Sequence, residues 1–484
     1  MPESFESPPS VASVAAVRHS RHPHAKEAIP LPLAGASPAE RRAQGRALRD
    51  AAPRQAHGGW KASPGRRDPI ELLIESNEGR VMDLIPIRFG RMLQSPFTFY
   101  RGSAVIMAAD LATTPQSGLR VQACGDAHLL NFGGFATPER NIVFDINDLD
   151  ETLPAPWEWD VKRLTASVVI AGRYLGLTET ESTRAAEATV RFYREHMADY
   201  SSMRALDVWY DTISLDRILK LELDAETRER LQQRIEKAKE HSSPEFVFPK
   251  LVEHHGAAPR IKDDPPLIFH PSDELAPGMT TGYREQLELY RKSLPEHVRV
   301  LFDRYRLCDI SVKVVGIGSV GTHCGIGLFI AADNDPLFLQ VKEARASVLE
   351  PYAGKSLHAN CGERVVAGQR LMQSASDVFL GWLRTAKGHD AYVRQLRDVK
   401  VSAIIEDWDA SQLREYGKLC AWALAKAHAR SGDAAMIAGY MGSSATFDDA
   451  ICEFAVEYAD QTQRDYRAFV KAVREGRIPA IAEA

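Results

Sequence analysis

The chain lacks several features that would place it in a familiar class. Its six cysteines, Cys124, Cys308, Cys324, Cys361, Cys420 and Cys452, are scattered, and no two stand as Cys-x-x-Cys. That spacing implies neither a zinc site nor a disulfide framework, and reduced thiols of a cytoplasmic protein are expected. No apolar run approaches the roughly 18–20 residues a membrane-spanning helix needs, so no span is expected. Positive charge is not in excess: 60 Lys and Arg stand against 65 Asp and Glu, a net charge of −5. A broadly basic nucleic-acid binder is thereby excluded, and no nucleic-acid partner is expected. There is no secretory leader pattern, because Met1–Ser10 is acidic and proline-rich and Val11–Val17 is too short and unflanked to form an apolar core. No internal repeat is visible.

What is present is a globular composition. Hydrophobic residues make up 44% and charged residues 26%, enough to bury a sizeable core, and the length suits two to four domains or one lobed enzyme. Residues 1–67 stand apart, holding 9 of the 27 prolines and a charge of +6 against −11 for the remainder. With few large apolar residues they read as a disordered basic tail carrying at most a short helix at Ala39–Ala51. From Asp68 onward, helical patterns cover Pro69–Arg91, Gly102–Ala112, Trp159–Leu175, Glu179–Tyr200, Leu215–His241 and Gly282–Leu307. The aromatic segment Phe97–Tyr100 joins the first two. Leu119–Ala123 reads as a strand, and Phe132–Phe135 with Ile142–Phe144 as a hairpin. Residues 243–280, rich in Pro and His, read as a long loop, and His254, His255 and His270 within it lack metal-ligand spacing. Ile310–Val315, Gly325–Ala331 and Pro336–Lys342 read as successive strands. Glu363–Gln373 follows as a helix, then Val378–Leu383 and Ala391–Leu396 as strands, and Ser411–Ala429 and Phe447–Glu475 as closing helices. The fold class is α+β: helical over 68–307, β-rich over 308–400, helical again over 401–484.

Two clusters carry chemistry. In the first, Cys124-Gly125-Asp126-Ala127-His128-Leu129-Leu130-Asn131 is followed by Ile142-Val143-Phe144-Asp145-Ile146-Asn147-Asp148. Acceptor side chains near one turn, with a carboxylate at a strand end, suit a hard cation such as Mg²⁺. A further carboxylate free of the metal can orient a hydroxyl and take its proton. Asx turns between strands are the competing reading of any one of these residues. The second cluster is Val315-Gly316-Ile317-Gly318-Ser319-Val320-Gly321, with Leu339-Gln340-Val341-Lys342 downstream. A dinucleotide fingerprint needs a helix directly after the glycines. Thr322–Ile330 carries glycines and β-formers instead, so the pattern describes a phosphate-covering flap followed by a strand that ends in lysine.

These residues carry two resemblances. Most of 68–470, including Ser95-Pro96-Phe97-Thr98-Phe99-Tyr100-Arg101-Gly102, Cys124–Phe132, Asp148–Trp159 and Ala427–Asp433, resembles the bacterial family called domain of unknown function 2252, a name that supplies no activity. Separately, Gly125-Asp126-Ala127-His128 through Asn131, with Asp145 and Asp148 after the next strand, resembles the catalytic loop of aminoglycoside and choline kinases. Pro156–Val161 looks like the start of the helix whose aspartate, here Asp160, braces that loop. The glycine flap and Lys342 are similar to the small lobe of protein kinases. A flap valine common in protein kinases is His323 here, and the usual His before Gly-Asp is Cys124.

The resemblance implies a protein kinase-like two-lobed fold, circularly permuted because the catalytic loop precedes the β-rich small lobe. Residues 68–307 with 401–484 would form the large lobe, 308–400 the small lobe, and 175–300 the acceptor region. Lys342 and the strand end at Asp145 would then face one cleft. The implied activity is ATP-dependent, Mg²⁺-assisted phosphoryl transfer to a small-molecule or protein acceptor. In that reading Gly316, Gly318 and Gly321 approach the ATP phosphates and Lys342 holds them. Glu363, or else Glu350, pairs with the lysine. Asn131 and Asp145 bind Mg²⁺, with Asp148 supporting a second ion or the loop. Asp126 orients the acceptor, and His128 touches the phosphates or braces the loop. The alternatives are a catalytically silent nucleotide-binding module of the same fold and a metal-dependent phosphoesterase.

Overall fold

Apolar side chains on every face make Trp157–Tyr174 a helix that is buried from Trp157 through Gly172. The other long helices are laid around it. Glu179–Tyr200 starts at a capping box formed by Thr178 and Glu181, and packs against both Trp157–Tyr174 and Ala410–Ser431. Thr446–Arg474 covers the same two helices, Trp157–Tyr174 and Glu179–Tyr200. Together they enclose the main hydrophobic core, centred on residues such as Trp157, Val168, Tyr193 and Leu424. The computed structural model describes residues 29, 35–220, 225–241, 248, 250–255, 258–265, 267–270, 279–314, 320–332, 335–385, 387–396 and 399–481.

The fold is mixed α+β with several antiparallel sheets. Strands β1 (Arg120–Ala123), β2 (Phe132–Ala136), β3 (Ile142–Ile146) and β4 (Leu153–Pro156) lie between the early helices and Trp157–Tyr174. β1 pairs with β4, and β2 with β3 in the register Phe132↔Ile146 to Ala136↔Ile142. Strands β5 (Val252–His255) and β6 (Ala258–Ile261) form a hairpin, and β7 (Ile268–Phe269) pairs with β8 (Arg306–Lys313). β9 (Cys324–Ile330), β10 (Pro336–Glu343), β11 (Gly381–Arg384) and β12 (Asp390–Gln395) complete a six-stranded sheet ordered β11-β12-β10-β9-β8-β7. The two faces alternate along β10 as a pleated strand requires. Leu337 and Leu339 pack with Phe329 and Val393 against helices Met279–Ser293 and Glu296–Phe302. Phe338 turns the other way, to Ile326, Leu328, Leu251, Val252 and Ile261. Lys342 is on that second face by the same alternation. β13 (Lys400–Ser402) then joins β2, bringing the chain from the six-stranded sheet back to the β2–β3 hairpin.

The chain departs from the sequence reading in instructive places. The basic segment expected to be a tail is part of the fold from Ser37 onward. Helix Pro38–Ala47 has a Ser37–Glu40 capping box and packs on Ala434–Met441, a helix the pattern did not flag. Two glycines allow it: a Cβ on Gly45 would lie 2.0 Å from the Met436 carbonyl, and one on Gly439 2.1 Å from that of Arg42. Backbone approach therefore replaces the large apolar residues whose scarcity suggested disorder. Pro69–Arg91 is broken into Pro69–Glu75 and Ile85–Met92, because Arg80 and Val81 bond instead to the carbonyls of Val320 and Gly321. Phe97–Tyr100 is helical within Pro96–Gly102, started by Ser95 and Pro96. Leu215–His241 is two helices, Leu215–Leu219 and Ala225–His241. The stretch read as a loop over 243–280 contains β5, β6 and β7. Among the described residues no helix is long and apolar enough to cross a membrane.

Candidate active site

The loop between β1 and β2 is tied to the buried helix behind it. Gly125 has φ +81°, and a Cβ there would meet the Glu151 carbonyl at 2.5 Å. Asp160, in the first turn of Trp157–Tyr174, accepts from the backbone N–H of Cys124 at 2.6 Å and of Gly125 at 2.9 Å. His428 Nε2 lies 3.1 Å from the Asp160 carboxylate, and its Nδ1 is 2.8 Å from the Tyr193 hydroxyl. Asn131 Nδ2 donates to the carbonyls of Asp126 at 3.0 Å and Asp148 at 2.8 Å, clamping the loop to the segment after β3. Asp126 Oδ1 receives Arg163 Nε at 2.6 Å and Nη2 at 2.5 Å. Its side chain stays 22% exposed and its Oδ2 is 3.9 Å from His128 Nε2, beyond hydrogen-bond range. Burial pushes the Asp126 carboxyl up in pKa, against the pull of Arg163. Burial also holds the His128 imidazole neutral, helped by the charges of Arg101 and Arg163.

Lys342, from the other sheet, meets the segment after β3 to which Asn131 clamps this loop. Its Nζ lies 2.8 Å from Asp150 Oδ2 and 3.3 Å from Asp148 Oδ2, although about two hundred positions separate them. The ammonium sits 5.1 Å over the Tyr392 ring, and the Tyr392 hydroxyl donates to Asp150 Oδ1 at 2.5 Å. Burial opposes the charge on Lys342, but Asp148 and Asp150 raise its pKa well above the usual lysine value. Burial likewise opposes ionisation of Asp148, yet Lys342 and Arg394 hold its carboxyl far below the ordinary range. Asp150 moves upward through burial and the adjacent Asp148 charge. Lys400 is lowered to about 8 by burial and the neighbouring Arg394. Three cations, Lys342, Arg394 and Lys400, thus surround Asp148, whose side chain is 39% exposed.

Residues 80–472 match the family described as "Uncharacterized protein conserved in bacteria (DUF2252)". The chain belongs to the DUF2252 family. No curated protein and no solved structure matches it. The Asp126 loop, Lys342 and the Asp148–Asp150 segment all lie inside the DUF2252 match.

Within this DUF2252 chain the predicted site residues separate into three groups. Asp126, His128, Asn131, Asp148 and Lys342 come together. Asp145 does not join them. It is fully buried, with Oδ2 bound to Lys426 Nζ and receiving Ser374 N at 2.9 Å and Ser374 Oγ at 3.0 Å. Its Oδ1 receives Ile146 N at 3.0 Å. Both oxygens are used, so Asp145 is half of an internal ion pair, and the accessible carboxylate is Asp148, three residues on. Glu363 does not pair with Lys342: its nearest charged partner is His358 at 3.6 Å. Glu350 accepts from Ser347 N at 3.3 Å. The second helix after the lysine strand, Cys361–Met372, which follows the short Glu350–Ala353, contributes Arg364 instead, which donates to the carbonyls of Asp150 and Arg345 at 2.8 Å and Thr152 at 2.5 Å. One position along a helix turns a side chain by about 100°, so Arg364 is buried while Glu363 faces outward. Gly316 and Gly318 lie outside the described residues. Gly321 is described, its carbonyl accepting from Val81 N at 2.7 Å.

Sequence reasoning missed Asp150, Arg163, Arg394 and Lys400. Asp150 had a signal, since Asp145, Asp148, Asp150 and Glu151 crowd seven positions. The three cations had none, because each reaches the site from a different element. A separate cavity of about 280 Å³ lies beneath β13, lined by Ile142, Phe144, Leu215, Ile235, Trp408 and Tyr416.

Proposed function

We propose that the chain is an ATP-dependent phosphotransferase with a permuted, kinase-like two-lobed arrangement. The observation that carries this reading is the Lys342–Asp148–Asp150 cluster, which puts a β10 lysine beside the clamped Asp126 loop. Phosphate-binding lysines of protein kinases occupy the third strand of such a sheet, with a helix following, and β8, β9, β10 and Cys361–Met372 stand in that order. The permutation also has support at the chain level. Gln122 N donates to Ser431 Oγ at 3.1 Å, so helix Ala410–Ser431 ends beside the start of β1. A path from β8 through Ser431 into β1 runs small lobe first and catalytic loop second.

Mg²⁺ would neutralise phosphate charge in such a site. It takes few protein oxygens, the rest coming from water and the nucleotide. Asp148, accessible and held ionised, and Asn131 Oδ1, which accepts no hydrogen bond among the described residues, fit that requirement. Lys342, Arg394 and Lys400 would hold the phosphates. Asp126 Oδ2 would take the acceptor hydroxyl proton as the acceptor oxygen bonds to the γ-phosphorus and the bond from that phosphorus to the β–γ bridging oxygen breaks, releasing ADP. The phosphoesterase alternative is disfavoured because no group of three or more His, Cys, Asp or Glu side chains arranged around a metal occurs among the described residues. A silent module is disfavoured by Asp126, whose side chain stays partly exposed with Oδ2 outside hydrogen-bond range of His128.

The test is a titration of the full chain with ATP, with and without Mg²⁺, followed by melting and calorimetry. Nucleotide at 100 times its dissociation constant should stabilise the fold by about 2.7 kcal/mol. Absence of both a melting shift and binding heat would end the proposal. Asp126→Asn should keep that shift and lose about 10²–10⁴ in transfer rate.

A further inference from the structure

We propose that the cavity beneath β13 is a binding site for a medium-chain alkyl carboxylate, with the chain inside and the carboxylate on Arg234. The site stands apart from the phosphotransferase reading, since none of Asp126, Asp148, Asp150 and Lys342 lines it.

β3 gives the cavity Phe144, and helix Ala410–Ser431 gives it Tyr416. Helices Leu215–Leu219 and Ala225–His241 contribute its other apolar wall. Tyr416 is fixed there. Its ring centroid lies 5.6 Å from that of Phe144 and 4.9 Å from that of Trp408, and its hydroxyl donates to the Phe132 carbonyl at 2.7 Å. With that hydroxyl already used, the ring offers apolar surface. At about 280 Å³ the cavity is near the lower end of small-molecule pockets, about 300–1,000 Å³. Such room suits one slender chain better than a nucleotide.

Arg234 decides the polar end of the ligand. Helix Ala225–His241 is sorted by face: Leu231 and Ile235 line the cavity, while Glu229, Gln232, Gln233, Glu236 and Lys237 are exposed. Arg234 breaks that sorting. It lies half-buried on the cavity face, three positions after Leu231, and makes no hydrogen bond or ion pair among the described residues. A cation drawn partly out of water without a counter-charge is costly. The carboxylate in the lining, Glu415, is already held by Lys418 at 2.9 Å and Arg414 at 3.1 Å. Asp409, at the start of the same helix, accepts from Gln412 N at 2.8 Å as its cap. A ligand carboxylate supplies the missing anion and matches the guanidinium fork with paired hydrogen bonds. A cationic ligand would meet like charge at Arg234 and Arg414.

The experiment titrates the full chain with hexanoate, octanoate, octan-1-ol and octylamine, each below its micellar concentration. Binding is read by calorimetry and by tryptophan fluorescence, with Trp408→Phe identifying the part of the signal that comes from the cavity. Octanoate should bind saturably, at least tenfold more tightly than octan-1-ol or octylamine. Affinity should rise about fourfold per methylene from hexanoate to octanoate, as for methylenes leaving water. Arg234→Gln should bring octanoate down to the level of octan-1-ol without changing octan-1-ol, and Arg234→Lys should recover part of the loss. Leu215→Trp, which fills the cavity, should weaken both carboxylates at least tenfold. If its melting curve shows that it does not fold, Arg234→Gln, on a surface helix, carries the test. Equal affinity for octanoate and octan-1-ol, tighter binding of octylamine, full octanoate affinity in Arg234→Gln or in folded Leu215→Trp, or no saturable binding overturns the proposal. No readout involves nucleotide, so failure here leaves the phosphotransferase proposal standing, and absence of Mg·ATP binding leaves this site standing.

Discussion

Asp145 and Asp148 show how little separates a structural carboxylate from an accessible one. Asp145 lies within β3 and Asp148 two residues beyond its end, and the sequence reading, taking the end of the apolar strand, gives the metal to Asp145. The structure turns it inward, onto Lys426, with both partners fully buried. Burial lowers the Lys426 pKa against the pull of Asp145, so the ammonium depends on that carboxylate to stay charged. Removing one partner of such a pair strands a buried charge and costs about 3–5 kcal/mol. Lys426→Met should therefore destabilise the fold by that amount, and Asp145→Asn in the same chain should restore most of it, as read from urea midpoints. Asp148→Asn removes one of the two carboxylates on buried Lys342, so it should cost less than Lys426→Met and in addition lose the Mg²⁺-dependent part of nucleotide binding. A stability loss in Asp148→Asn as large as that of Lys426→Met, with Mg²⁺-dependent binding kept, would reverse the two assignments.

Among the elements, the N-terminal segment departs furthest from its composition. It follows helix Pro38–Ala47 with a turn, Arg54–His57, that inserts His57 into the core. His57 is 1% exposed, and its Nε2 is 2.7 Å from the Tyr440 hydroxyl. Burial, and then the charge of Lys162, lower its pKa from 6.5 to about 3. The unfolded chain binds the proton between those two values and the folded chain does not. The His57 contribution to stability should thus be constant above pH 6.5 and fall by about 1.4 kcal/mol per unit below it, until pH 3 is approached. His57→Phe should flatten that slope between pH 6.5 and 4 in a series of urea midpoints, whatever it costs at pH 7. An unchanged slope would mean that other groups set the acid limit.

At the scale of the molecule, polar ties join the six-stranded sheet and its neighbouring segments to the helical part. Among them, buried Arg364 binds three carbonyls from the loop after β3 and the segment after β10. Arg364→Met leaves those carbonyls without a donor and should cost about 2–4 kcal/mol. Because one of them belongs to Asp150, the partner of Lys342, the same variant should weaken Mg·ATP binding. Melting and calorimetry on one preparation check both effects. A stability loss with unchanged nucleotide affinity would separate the tie from the site.

The helices and strands were largely legible because their signals are local. The spacing of apolar residues places Glu179–Tyr200 and Ala410–Ser431 within about two residues, and the Gly125–Asn131 run marks its own turn. What the sequence could not decide is which side chains face one another across the fold. Lys342 meeting Asp148 and Asp150, Asp145 turning to Lys426, Arg364 taking the place given to Glu363, and His57 entering the core all join residues far apart in the chain. Such pairings carry no periodic signature. They are fixed when whole elements pack, because a buried charge must find a partner among whatever the packing brings near.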